Sequence, residues 1–178
     1  EGYAASSGDD WMRPALCEEA LRLGRVLAGL MPRESEVHGL VALMEIQASR
    51  LHARTGTDGQ PVLLLDQDRS RWDRLLIGRG LEALQRAQQL GGALGPYALQ
   101  AAIAALHAKA PTPAATDWAE IVGLYGVLAR IEPSPVVELN RAVAVAMRDG
   151  PAAGLELANA ILVRGGLMLA RPGALRSR

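Results

Sequence analysis

Apolar residues recur every three to four positions through nearly every segment of this chain, and sustained two-residue alternation is almost absent. Such a period places the apolar side chains on one face of a helix, so the chain is expected to be all-α, with no sheet. At 178 residues and 49% hydrophobic content, it can bury one substantial core, or a continuous solenoid core, without disulfides or metals.

The pattern and its punctuation predict about seven helices. The first begins near Pro14, carries Leu16, Ala20, Leu23, Leu27 and Leu30 as its inward stripe, and stops before Pro32. The second starts near Ser35 and buries Val37, Leu40, Val41, Met44, Ala48 and Leu51. Thr55 to Gln60 is a loop, and Val62 to Leu65 is either an extended linker or a helical turn. Asp68 or Ser70 caps the third helix, which carries Trp72, Leu76, Gly80, Leu84, Ala87 and Leu90 and ends at Gly91 and Gly92. The fourth runs from Pro96 to about Ala108. The fifth follows Pro111 and Pro113, with Asp117 as cap and Trp118, Ile121, Val122, Tyr125 and Leu128 inward. The sixth, after Pro133 and Pro135, carries Val136, Leu139, Val143 and Met147, and the turn Asp149-Gly150-Pro151 leads to a seventh with Leu155, Ala158 and Ile161 or Leu162 inward.

Charge excludes several classes of function. Nineteen basic residues balance nineteen acidic ones, so no overall positive field gathers a polyanion, and direct DNA binding by this segment is not expected. Lys109 is the sole lysine; the arginine excess reads mainly as codon bias, although arginine forks suit carboxylates. Cys17, the single cysteine, excludes an internal disulfide or a thiolate zinc site and fits a reducing cytoplasm. Glu1 to Asp10 lacks the pattern of a signal peptide, and no stretch approaches the roughly 18 uninterrupted apolar residues of a membrane span. A cytoplasmic location is expected.

Leu99-Gln100-Ala101-Ala102-Ile103-Ala104-Ala105-Leu106 overlays Leu139-Asn140-Arg141-Ala142-Val143-Ala144-Val145-Ala146, each segment preceded by a proline and followed by a second amphipathic helix. This is the pattern of antiparallel helix-hairpin repeats of about 34 to 40 residues, in which stacking supplies the core that one hairpin lacks. Trp118, Ile121, Val122 and Tyr125 also match three of the four positions of a tetratricopeptide first helix. The expected architecture is a tetratricopeptide-like right-handed superhelix. It forms a single domain over residues 1–163, with sub-units 1–55 and 66–163 and an irregular tail from 164 to 178.

Five phrases go beyond a generic repeat: Glu1-Gly2-Tyr3-Ala4-Ala5-Ser6, Leu65-Asp66-Gln67-Asp68-Arg69-Ser70-Arg71-Trp72-Asp73, Gly95-Pro96-Tyr97-Ala98-Leu99-Gln100-Ala101-Ala102-Ile103, Thr116-Asp117-Trp118, and Pro133-Ser134-Pro135-Val136-Val137-Glu138-Leu139-Asn140-Arg141-Ala142. Together, and in this order, they resemble the C-terminal tetratricopeptide-like extension of a group of bacterial extracytoplasmic-function RNA polymerase sigma factors (sigma-24/sigma-70 family), over residues 1 to about 162. The resemblance implies a regulatory, protein-interaction domain that modulates transcription initiation by contact with the upstream sigma-factor domains or the RNA polymerase core. It places the promoter-reading regions ahead of Glu1. Beyond Val163 the chain departs from the family pattern.

The candidate interaction residues are Asp66, Asp68, Arg69, Trp72, Gln100, His107, Asn140 and Arg141. The Asp66–Asp73 cluster lacks the glycine and distal glutamate of a calcium loop, which leaves capping and ion pairs, or an interface anchored on Arg69 and Trp72. Gln100 and His107 lie seven apart on one face, and Asn140 aligns with Gln100; such positions either line a peptide-gripping groove or bond neighbouring backbone. His38, His52 and His107 show no HExxH spacing, Gly78-Arg79-Gly80 reads as close helix packing, and Cys17 lies on a polar flank with no activating His nearby. No catalytic set, metal site or cofactor is expected, and the protein is read as no enzyme. The competing reading is a helical-repeat domain that senses a small ligand or peptide.

Overall fold

The computed structural model describes residues 13–91 and 94–169, with side chains to Arg164. Seven α-helices account for most of these residues: α1 (Pro14–Leu30), α2 (Ser35–Ala48), α3 (Arg74–Gln89), α4 (Pro96–Lys109), α5 (Trp118–Ile131), α6 (Pro135–Asp149) and α7 (Pro151–Leu169). Short 3-10 turns occupy Leu51–Ala53, Leu64–Asp66, Arg69–Arg71 and Pro113–Ala115. The one β-type pairing among the described residues is an isolated bridge between Thr55 and Pro61, closing the expected loop, with Gly59 at a φ of 78° at its tip. The protein is all-α, and none of the described helices is long and apolar enough to cross a membrane.

Local chemistry sets the helix ends. Prolines occupy the first turns of α1, α4 and α6, where the missing N–H costs nothing. Asp73, and not the expected Asp68 or Ser70, caps α3, its carboxylate accepting from Leu75 N at 2.8 Å and Leu76 N at 3.1 Å; Asp68 caps the separate turn Arg69–Arg71, so Trp72 precedes the helix. Gly91, at a φ of 80°, follows α3 as predicted, and Gly150, at 103°, makes the turn from α6 to α7. The segments Glu1–Asp10 and 170–178, and Gly92, lie outside the described residues.

The described chain divides into two compact units, residues 1–117 and 118–178. The boundary expected between 55 and 66 is not where the chain parts, because α2 and α3 on either side of it pack on each other. Ser35 Oγ donates to Ala87 O at 2.9 Å, and the Asp73 N–H donates to Ser49 O at 2.9 Å, so the two helices run antiparallel.

In the first unit α2 is the central helix, packed on α1, α3 and α4. Its core joins Ala42 and Ile46 to Ala53, Trp72, Ile77, Leu84 and the alanines of α4. Close approach depends on small residues: a Cβ on Gly80 would lie 2.6 Å from Ile46 Cγ1. Glu36 of α2 caps a helix other than its own, accepting from Tyr97 N at 2.9 Å and Ala98 N at 3.2 Å at the start of α4. Glu45, 2% exposed, is held by a two-point contact with Arg25 of α1 at 2.7 and 3.0 Å.

Two helices turn a different face inward from the one predicted. In α1 the residues facing α2 are Cys17, Leu21 and Gly24, whereas Leu16, Leu23 and Leu30 are 46%, 51% and 75% exposed. Cys17 is therefore buried rather than on a polar flank. The cause is contact distance: Gly24 admits Met44 Sδ to 3.2 Å from where its Cβ would lie. In α6 the buried residues are Ala142, Ala144 and Val145, while the expected stripe of Val136, Leu139, Val143 and Met147 is exposed. Gly154 of α7 lies against Ala142 and Ala146, a fit that the larger residues of the stripe would prevent. In α7, Leu155 is likewise exposed, while of Ile161 and Leu162 it is Ile161 that is half-buried, and the helix runs through Gly165 and Gly166, where an irregular tail was expected.

Candidate functional site

The segment from Asp66 to Asp73 forms a joint between α2, α3 and α4 inside the first unit. Asp68 folds back on Ser70, accepting from its N–H at 2.9 Å and its hydroxyl at 2.7 Å, and so caps the turn Arg69–Arg71. The Ser70 hydroxyl, then its N–H, and then the charge of Arg71 lower the Asp68 pKa. Asp66 is exposed. Arg69 turns inward, 8% exposed, and its Nη1 donates to His107 O at 2.5 Å and Ala110 O at 2.9 Å, satisfying carbonyls at the end of α4. Burial, and then the nearby Arg74, lower the Arg69 pKa.

Trp72, 3% exposed, is the centre of the joint. The guanidinium carbons of Arg69 and Arg50 lie 4.6 and 5.9 Å from its ring centroid. Arg50 and Arg54 both donate to Gln47 Oε1, Arg54 at 2.7 Å. Thus Asp68, Arg69, Trp72 and His107 come together, but as internal structure: the tryptophan is core, and each charged group is committed to a cap or a backbone carbonyl.

The same arginines affect His107. Burial, then Arg50 and Arg69, lower its pKa from 6.5 to about 4, so the imidazole is neutral near neutrality. In the unfolded chain it takes up a proton near 6.5, so between those values the unfolded state binds more protons and stability falls as pH falls. From this group we expect a loss of about 2 kcal/mol between about pH 7 and pH 5, which His107→Gln should remove. Urea unfolding of both proteins at the two pH values checks it.

The remaining candidates do not join this cluster. Gln100 is half-buried in α4, while Asn140 and Arg141 belong to the second unit, where Asn140 is exposed. Arg141 borders a groove of about 430 Å³ formed by α5, α6 and α7. Ala129, Leu157, Ala160 and Ile161 make its apolar walls, and Glu138 and Arg164 share its polar side with Arg141. Arg164 Nη2 donates to Glu138 Oε2 at 2.5 Å. Arg141 makes no ion pair among the described residues, and its Nε is buried without an acceptor.

Glu138 and Arg164 escaped the sequence reading. Glu138 sits two residues ahead of Asn140, within a phrase already singled out, but its pairing with Arg164 across 26 positions leaves no local pattern. Glu36 was missed for the same reason, since the amides it caps lie 61 and 62 positions away.

Residues 1–88 match a family described as a family of unknown function (DUF6596). An uncharacterized protein of Rhizobium meliloti (strain 1021) is 50% identical to this chain over 157 residues, which is 88% of this chain and 37% of that relative. The chain thus spans little more than a third of that relative's length. No solved structure matches.

Proposed function

We propose that the chain is a regulatory, protein-interaction domain of an extracytoplasmic-function sigma factor. In this reading it modulates transcription initiation in the cytoplasm by contact with the upstream sigma domains or the RNA polymerase core, and its hairpins stack as a tetratricopeptide-like superhelix. The observation that carries the interaction reading is the apolar stripe of α6: Val136, Leu139, Val143 and Met147 are 66%, 50%, 54% and 43% exposed. Their spacing is that of a helix face meant to be covered, and contiguous apolar surface of this kind marks protein contact sites. The stripe of Leu16, Leu23 and Leu30 on α1 is a second such face in the first unit. The five family-like phrases support the sigma-factor part of the reading. The Asp66–Asp73 joint supports a non-catalytic role, since Asp68 and Asp73 serve as caps and Arg69 bonds backbone carbonyls.

The test uses the full-length protein. Leu139→Ser with Val143→Ser removes apolar surface that is already exposed, so stability should change by less than about 0.5 kcal/mol for each substitution. Co-purification with RNA polymerase core and with separately expressed upstream domains should nevertheless fall at least about tenfold. Unchanged association, together with unchanged promoter-specific transcription after deletion of the domain, would overturn the proposal.

A further inference from the structure

We propose that the groove of the second unit binds a small aliphatic carboxylate, with the Arg141 guanidinium holding the carboxylate and the walls of α5 and α7 covering the hydrocarbon. This site is separate from the exposed α6 stripe and does not rest on the partner reading above.

Size, lining and charge together carry the inference. A volume of about 430 Å³ lies within the range of small-ligand sites. The walls, Ala129, Leu157, Ala160 and Ile161, offer no hydrogen bonds from their side chains, so the body of the ligand must be apolar. The polar side carries two arginines and one glutamate, and the glutamate is taken: Glu138 is paired with Arg164 at 2.5 Å. Arg141 is left as one unmatched positive charge, with a buried Nε lacking an acceptor. Arg141 is half-buried, but its Nε lies out of water without an acceptor, and a bound carboxylate would supply one.

The chemistry of the anion follows from the donor. A guanidinium presents parallel N–H groups in a plane, which match the two oxygens of a carboxylate. One uncompensated arginine balances one negative charge, whereas a phosphate dianion would face Glu138 with half its charge unmatched. A neutral ligand would leave Arg141 as it is. The apolar walls favour an unbranched or lightly branched alkyl chain of several carbons over a sugar or a nucleoside, whose hydroxyls would find no partners there. Two sources share this end group, a free alkyl carboxylate and the C-terminus of a peptide. The short, four-residue apolar wall favours the free acid, because a peptide brings backbone N–H and C=O groups that the wall cannot satisfy.

Isothermal titration of the chain with hexanoate, hexanol and hexylamine tests the proposal, with a short peptide ending in leucine as a fourth probe. Hexanoate should bind saturably, and the alcohol and the amine should not. Arg141→Leu should weaken hexanoate binding at least about tenfold, while Arg141→Lys keeps part of it. Should Arg141→Leu fail to fold, Ala160→Leu serves instead: it fills the wall, leaves Arg141 in place and should also abolish binding. Arg130→Gln, at an exposed arginine of α5 that does not line the groove, should bind as the parent does. Equal binding of hexanol, binding of hexanoate that neither Arg141→Leu nor Ala160→Leu alters, no binding of hexanoate, or binding of the peptide alone would each overturn it.

Discussion

Trp72→Ala should destabilise the first unit by about 4 kcal/mol, the largest effect expected of any single substitution here. The indole is 3% exposed and is in the same core cluster as Ile46, Ile77, Leu84 and the alanines of α4, so truncation leaves a cavity at the meeting point of α2, α3 and α4. Two further losses add to the cavity. Arg69 and Arg50, each 8% exposed, lose the ring over which their guanidinium groups lie. Trp72→Phe should recover more than half of the loss, because it refills most of the volume. Urea unfolding followed by far-ultraviolet circular dichroism measures both. The experiment also separates the two roles that the residue type allowed: a surface anchor would leave stability within about 0.5 kcal/mol and weaken partner binding instead.

Gly39→Val should cost about 3 kcal/mol, through the opposite mechanism, overpacking. A Cβ at Gly39 would lie 2.6 Å from Ala98 N, 2.8 Å from Ala98 Cα and 2.9 Å from Ala98 Cβ. Two of these atoms are backbone of α4, so no rotamer change relieves the clash and the helices must move apart. That movement would also pull Glu36, one turn earlier on α2, from the amides of Tyr97 and Ala98. The midpoint of thermal unfolding should fall by roughly 10 °C, as expected for a chain of this size. Gly29→Ala provides the control: nothing lies within 4 Å of its Cβ position, so alanine should be neutral or stabilising by up to about 1 kcal/mol.

Candidate residues were legible in proportion to how local their partners are. Asp68 and Asp73 serve as caps that bond to amides within three residues; a cap near here was legible, but the sequence placed that of α3 on Asp68 or Ser70 because the intervening 3-10 turn leaves no periodic mark. Arg69 was singled out for charge and proximity to Trp72, yet its carbonyl partners lie 38 and 41 positions away, and nothing near it in sequence distinguishes an inward guanidinium from an exposed one. Arg141 was chosen from its place in the repeat; its position on a groove depends on α5 and α7, which no alignment of α4 with α6 reveals.

The sequence by itself determined the all-α class, the helices and most of their ends, since prolines in first turns, glycines at positive φ and Asp caps act within a few residues of where they stand. Only the tertiary structure decided which apolar face of α1 and of α6 is buried. Both helices are apolar on more than one side, so periodicity marks several candidate faces, and the choice falls to the one that lets two backbones approach most closely. For α1 that face contains Gly24 against Met44, and for α6 it contains Ala142 and Ala146 against Gly154. Closeness of approach is a property of a pair of helices, so one strand of sequence cannot state it, and the larger side chains that fitted the helical period best are the ones left facing outward.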